Sequence, residues 1–213
     1  VADTLIVGQF LGRNALAAVG SAYTLMTFLT SILLGLSMGA GALFAIYQGQ
    51  GDRERLRASI VQAFGLILLL TVALNIAVYL WIDPIMAFLR VPAEVYPLMR
   101  EYLWIIFAGL AATFLYNFFS CLLRALGNSA TPLAFLAVSA LLNVALDLLF
   151  VLRFSWGVAG AAAATVIAQY ISGVGIFLYT TMRCKELRPS REQLCWSPDI
   201  LREISNLSVL TCV

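Results

Sequence analysis

Histidine is absent from this 213-residue chain, and charged residues are scarce, at 11%, less than half the roughly 25% usual in soluble domains. Without histidine there is no Ser/His/Asp or Cys/His constellation for nucleophilic catalysis. The cysteines Cys121, Cys184, Cys195 and Cys212 are scattered with no C-x-x-C pair, so neither a zinc site nor a disulfide framework is indicated. There is no G-x-x-x-x-G-K-[ST] phosphate loop, and Gly49-Gln-Gly51 is a lone Gly-x-Gly that reads as a turn. The formal net charge is only +2 and its basic residues are spread over short loops, which gives no case for nucleic acid. A hydrolase working with paired carboxylates would need an aqueous cleft that these apolar runs do not provide. The expectation is a chain that is not an enzyme and carries no organic cofactor.

What the chain has in abundance is hydrophobic surface, 62% of residues. A helix crossing a bilayer needs about 20 predominantly apolar residues. Five such runs lie at roughly 15 to 48, 58 to 81, 96 to 123, 130 to 152 and 157 to 182, with a partial sixth at 1 to 11. The sequence therefore predicts an all-α, polytopic bundle of about six spans in the cell membrane. The opening Val1-Ala2-Asp3 reads as the tail of a longer first helix, and residues 205–213 as the start of a seventh. Between them, 185–204 carries Pro189, Pro198, mixed charge and Trp196, the composition of a cytoplasmic linker with an interfacial anchor. Residues 1–184 would then form one membrane lobe, with a second lobe of the same polypeptide following, as in transporters built from two repeated bundles.

Alternating span directions sort the basic residues into two groups. Arg53, Arg55, Arg57, Arg124, Arg183, Lys185, Arg188 and Arg191 fall on one side, and Arg13, Arg90, Arg100 and Arg153 on the other. The richer side is assigned to the cytoplasm by the positive-inside rule. Small residues recur on single helix faces at Gly35-Leu-Ser-Met-Gly39 and Gly157-Val-Ala-Gly160-Ala-Ala-Ala-Ala-Thr165, which predicts tight helix packing.

Two acidic residues, Asp3 and Asp147, lie well inside apolar runs. A carboxylate at the membrane centre costs at least about 2.5 kcal/mol on insertion scales and by default marks a functional site. Asn143 precedes Asp147 by four residues, so the two side chains share a helix face. Thr165 falls at a comparable depth on the next, antiparallel span, and Asn117 and Ser120, beside Tyr116, add polar atoms to the span before. An amide, a hydroxyl and a carboxylate at one depth form either a hydrogen-bond network or oxygen ligands for Na⁺, with Asn143, Asp147 and Thr165 as the metal-ligand set. The plainer reading is that Asn143, Asn117 and Thr165 only join helices, a use worth about 0.6 kcal/mol on average. Phe114, Tyr116, Phe118 and Phe119 cluster around Asn117, and any of them lining a cavity would suit flat organic cations.

Several stretches together resemble one family. They are Asp3-Thr-Leu-Ile-Val-Gly8 with Leu11-Gly12, Ala17-Ala-Val-Gly20, Gly35-Leu-Ser-Met-Gly39, Gln48-Gly-Gln-Gly51-Asp52, Arg124-Ala-Leu-Gly127-Asn128-Ser-Ala-Thr-Pro132, Leu142-Asn143-Val-Ala-Leu-Asp147 and the Trp156–Thr165 segment. In this order they are similar to the multidrug and toxic compound extrusion (MATE) family, and most of all to its DinF-like branch. That resemblance implies a twelve-helix transporter of two lobes that exports organic, often cationic, small molecules in exchange for H⁺ or Na⁺, with this chain forming most of the N-terminal lobe. It also implies a cation site in that lobe made by Asp3, Asn117, Asn143, Asp147 and Thr165, with Tyr102 near it. The expected partners are small-molecule substrates, membrane lipids and the C-terminal lobe. Two other readings stay open on the residues alone: a flippase for lipid-linked oligosaccharide, and a non-transporting membrane scaffold.

Overall fold

In a computed structural model, residues 13–88, 95–183 and 203 are described. Their helices are α1 (Arg13–Gln50), α2 (Arg53–Leu80), α3 (Ile82–Phe88), α4 (Tyr96–Ala108), α5 (Leu110–Ala125), α6 (Ala130–Asp147) and α7 (Gly157–Arg183), with a π-helical turn (Leu148–Arg153) after α6. No strand occurs among the described residues. Among the described residues, five segments are long and apolar enough to cross a membrane: Ala22–Gln50, Arg53–Leu80, Tyr96–Ala125, Ala130–Arg153 and Gly157–Arg183. They coincide with the five apolar runs of the sequence. Asp3, the 185–202 part of the linker and residues 205–213 lie outside the described residues.

Short turns join these spans, and their chemistry is local. Gly51 and Gly127 take the left-handed backbone, at φ 72° and 84°, which ends a helix at little steric cost. Directly after Gly51, the Asp52 carboxylate accepts from the Arg55 backbone N–H at 3.0 Å and opens α2. After Gly127, Asn128 Oδ1 accepts from the Thr131 N–H at 3.1 Å at the start of α6. Two-residue and four-residue turns of this kind make successive spans antiparallel. Arg53, Arg55, Arg57, Arg124 and Arg183 therefore belong to one end of the bundle, and Arg13, Arg100 and Arg153 to the other.

The third apolar span lies at the centre. Leu103, Phe107, Leu110, Phe114 and Phe118 from α4 and α5 are fully or almost fully buried, against Leu33, Ala40 and Phe44 of α1 and Ala161, Ala162 and Ile176 of α7. Phe44 meets Phe118 edge to face at 5.9 Å, and Phe64 of α2 meets Phe114 and Phe118 at 5.3 Å each. Between helices in lipid, packing depends on shape rather than on water exclusion, so small residues set the closest approaches. A Cβ on Gly173 of α7 would lie 2.7 Å from the Ala112 carbonyl oxygen of α5, and one on Gly41 would lie 3.0 Å from Cys121 Cβ. Gly160 is equally tight, with Trp156 Cβ at 3.0 Å and Phe150 Cβ at 3.2 Å from the same position. Of the glycines in the small-residue segments, Gly160 is a packing residue and Gly35 and Gly39 are buried, whereas Gly157 has nothing within 4 Å and takes a left-handed φ of 60° at the start of α7.

One expectation is revised. The run at 96 to 123 reads as one continuous helix, whereas the structure divides it at Gly109. The carbonyls around the break are taken up by neighbours: Asn75 Nδ2 donates to Phe107 O at 2.8 Å, Tyr170 Oη to Ala108 O at 2.9 Å, and Tyr79 Oη to Trp104 O at 3.0 Å. Side chains that re-satisfy freed backbone groups are what permits an interrupted helix at membrane depth.

Polar ties close both ends. At one, Tyr96 Oη donates to Asp83 Oδ1 at 2.8 Å and Arg100 Nε approaches the same oxygen at 3.2 Å. The phenol and then the guanidinium hold the Asp83 carboxyl below its usual range. At the other end, Tyr47 Oη donates to Glu203 Oε2 at 2.6 Å, joining α1 to a residue 156 positions later.

The packing makes a direct prediction. Gly173→Ala should destabilise the protein by about 1–3 kcal/mol through overpacking against Ala112, seen as a lower melting temperature in detergent. Gly20→Ala, where nothing lies within 4 Å, should be neutral or stabilising by up to about 1 kcal/mol. Equal melting of the two variants would contradict this account of the α5–α7 contact.

Candidate functional site

The polar residues of α6 and α7 form a seam. On α6, Ser139, Asn143 and Asp147 are spaced four apart and line one face. Across from them, Ser139 Oγ donates to Ala168 O at 3.1 Å and Asn143 Nδ2 donates to Thr165 Oγ1 at 3.1 Å. Thr165 Oγ1 in turn donates to Ala161 O at 3.1 Å. One turn before Ser139, the carbonyl of Phe135 accepts from Ser172 Oγ at 3.4 Å. The seam thus advances one turn at a time, and it ends at Asp147.

Asp147 is wholly buried, at 0% exposure. It is the last residue of α6, and the backbone widens immediately after it into the π-helical turn Leu148–Arg153. Phe154 N–H reaches back to Leu149 O at 3.1 Å, and Trp156 N–H to Phe150 O at 3.0 Å. The rings of Phe150, Phe154 and Trp156 cluster at the turn, 5.1 to 6.0 Å apart, with Phe150 and Phe154 stacked. The turn closes the span, and π-turns occur at helix C-termini. Nothing in the residues 148–153 signals this one, because an apolar run has the same pattern whether its turns are α or π. A carboxyl enclosed in this way meets a low dielectric that disfavours its charged form unless a cation or hydrogen bonds compensate.

The remaining site residues are placed as follows. Thr165 and Asn143 meet directly, as the expected depth match requires. Asn117, in contrast, donates through Nδ2 to the Thr113 carbonyl of its own helix at 2.9 Å. Tyr102 is buried on α4, in the half-helix before the Gly109 break. Asp3 lies outside the described residues. Of the aromatic cluster, Phe114, Phe118 and Phe119 belong to the buried core, and Tyr116 lines a cleft.

Two clefts open beside the seam. One, of about 340 Å³ between α1, α5 and α7, is lined by Tyr23, Thr27, Thr30, Ser31, Thr113 and Gln169, among others. The second, of about 170 Å³, lies between α5, α6 and α7 and includes Thr113, Tyr116, Ser139, Gln169 and Ser172 in its wall. Thr113 and Gln169 border both. Gln169 escaped the reading of the sequence, although it carries the same signal as Asn143, an amide within an apolar run.

Comparison with known proteins agrees with this architecture. A family model described as MatE matches residues 1–149. The probable multidrug resistance protein YpnP of Bacillus subtilis (strain 168) is 36% identical over 178 residues, covering 83% of this chain and 39% of that protein. The probable multidrug resistance protein YoeA of the same organism is 30% identical, covering 84% of this chain and 40% of that one. A crystal structure of MATE in a bent conformation superposes with a TM-score of 0.93 at 25% identity, over 99% of this chain and 47% of that chain. The chain spans about 40% of the length of the curated relatives it matches.

The seam is open to a double-mutant cycle. Asn143→Leu and Thr165→Val should each lower thermal stability, with a coupling energy of about 0.6 kcal/mol, the average for interhelical hydrogen bonds in a membrane. Strict additivity would show that the 3.1 Å contact contributes nothing.

Proposed function

Since this chain belongs to the MatE family of multidrug and toxic compound extrusion transporters, we propose that it forms the cation-coupling lobe of an exporter of organic, often cationic, small molecules, driven by H⁺ or Na⁺. The observation that carries this reading is the complete burial of Asp147 at the end of a polar seam and at the start of a π-helical turn. The family is one of multi-pass membrane proteins, in keeping with the five spans; the C-terminal lobe of the same polypeptide and the surrounding lipid complete the proposed assembly.

In this mechanism a cation enters from outside and neutralises Asp147, with Asn143 and Thr165 supplying neutral oxygens beside it and Asp3 as a second carboxylate. Asn117 and Tyr102 take supporting places around the site. With its charge neutralised, the lobe repacks about the first helix, closes the outward opening and expels cargo. A switch between charged and neutral in low dielectric involves several kcal/mol, and about 5.5 kcal/mol suffices to invert a two-state population from 1:99 to 99:1. For Na⁺ the ligands on this chain are the Asp147 carboxylate, the Asn143 carbonyl oxygen and Thr165 Oγ1; for H⁺ the carboxylate alone is enough. A flippase for anionic lipid-linked oligosaccharide would call for basic residues deep in the spans, and the described arginines sit at or beside helix ends. In a scaffold, Asp147 and Asn143 would only pair with neighbouring helices, and ethidium efflux distinguishes the two readings.

Asp147→Asn in the full-length protein should abolish ion-driven export of ethidium while membrane insertion and melting temperature stay near wild type. Export at the wild-type rate would defeat the coupling role of Asp147. Vesicles with an imposed pH gradient in Na⁺-free buffer, compared with an imposed Na⁺ gradient at uniform pH, identify the ion by which gradient supports transport.

A further inference from the structure

We propose that the two clefts select cargo by its hydrogen-bond donors, and that Gln169 is the specificity-determining residue: its amide oxygen accepts from N–H groups of an organic cation. This rests on the export reading above and names the class of cargo that the lobe prefers, cations bearing N–H rather than quaternary or fully substituted ones.

Hydroxyl groups dominate the polar lining of both clefts, and apart from that of Tyr23 their protons are already committed. Thr27 Oγ1 donates to Tyr23 O at 2.7 Å and Ser31 Oγ to Thr27 O at 2.8 Å. Thr113 Oγ1 donates to Gly109 O at 3.1 Å, and Tyr116 Oη to Pro132 O at 3.0 Å. Ser139 Oγ and Ser172 Oγ donate to Ala168 O and Phe135 O. A hydroxyl has one proton and two lone pairs. Once the proton is bound to backbone, only acceptor capacity remains for a ligand. These walls therefore present oxygen lone pairs and few donors, which suits a cation that brings its own N–H groups.

Gln169 is central to this surface. It borders both clefts, on α7 one turn beyond Thr165. Its Oε1 is buried and has no hydrogen-bond partner. It rests on Gly109, in the space that a Cβ there would fill, with the Ile106 carbonyl oxygen only 3.1 Å from that same position. Two acceptors meet at one glycine at the break of the central span: the Ile106 carbonyl accepts from the Gly109 N–H at 3.0 Å, and Oε1 accepts from no donor. A ligand N–H in either cleft supplies the missing partner when the amide turns from Gly109. A site built to accept a hydrogen bond rejects an analogue lacking the donor, because the acceptor is then left unpaired.

The test uses the full-length transporter in lipid nanodiscs and two fluorescent probes, 1-pyrenylmethylammonium and its N,N,N-trimethyl counterpart. They share ring and charge and differ in N–H donors. Wild type should bind the primary ammonium more tightly, and Gln169→Leu should shrink the ratio of the two dissociation constants roughly five- to tenfold. Gln169→Glu keeps an acceptor and should retain the preference. Gln169→Met, apolar and flexible, replaces the leucine variant if that one fails to fold. An unchanged ratio in the apolar variant, or no preference in wild type, overturns the proposal. Failure of wild type to bind or export either probe would instead count against the export reading itself.

Discussion

A polar group in a bilayer core has no water to turn to, and each one must find its partner within the protein. That constraint explains the irregular places in this lobe. Where the central span breaks at Gly109, Asn75, Tyr79 and Tyr170 arrive from two other helices to take the carbonyls of Phe107, Trp104 and Ala108. Where α6 and α7 run side by side, serine, asparagine and threonine side chains bridge them turn by turn. An interrupted helix is thus held by its neighbours as well as by its own hydrogen bonds, and the interruption is a property of the bundle.

The same constraint links the carboxyl site to the clefts. Ser139 lines a cleft and also belongs to the seam that leads through Asn143 to Asp147; Thr165 lies one turn from Gln169. Between them, Asn143 meets Thr165 and Ser139 meets the Ala168 carbonyl, so the cleft wall and the α6 face that ends at Asp147 share one helix pair. Close approach makes this possible. Gly160 permits the π-helical turn to lie against α7, and Gly173 permits α5 to do so from the other side. Larger residues at either point would separate the helices that carry the two halves of the site.

Much of this was legible in the residues. The length and apolarity of the runs, read against bilayer thickness, place five spans where the structure has them, and Gly51, Asp52, Gly127 and Asn128 mark the turns by local backbone chemistry. The i, i+4 spacing of Asn143 and Asp147 puts both on one face because helix geometry alone decides it. The pairing with Thr165 was also accessible, since a short loop between antiparallel spans fixes relative depth. Membership of the MatE family follows from motifs held in order over most of the chain.

Other features depend on which helix lies beside which, and no local pattern encodes that. The break at Gly109 needs Asn75 and Tyr170, which are 34 residues before it and 61 after it in the chain. Phe114, Phe118 and Tyr116 are near neighbours in sequence, yet the first two fill the core and the third faces a cleft, because helix rotation is set by packing against α1, α2 and α7. The turn at Leu148–Arg153 widens although its composition is ordinary, and the direction of each hydroxyl proton follows from the nearest carbonyl. Sequence determined what must be buried and roughly how deep, and even the partner where a hydroxyl bonds a carbonyl one turn back, as Ser37, Thr71 and Thr180 do; the tertiary structure decided which groups reach across, since the partners of Asn75, Ser139, Asn143 and Tyr170 lie within about 3 Å only because another helix is packed there.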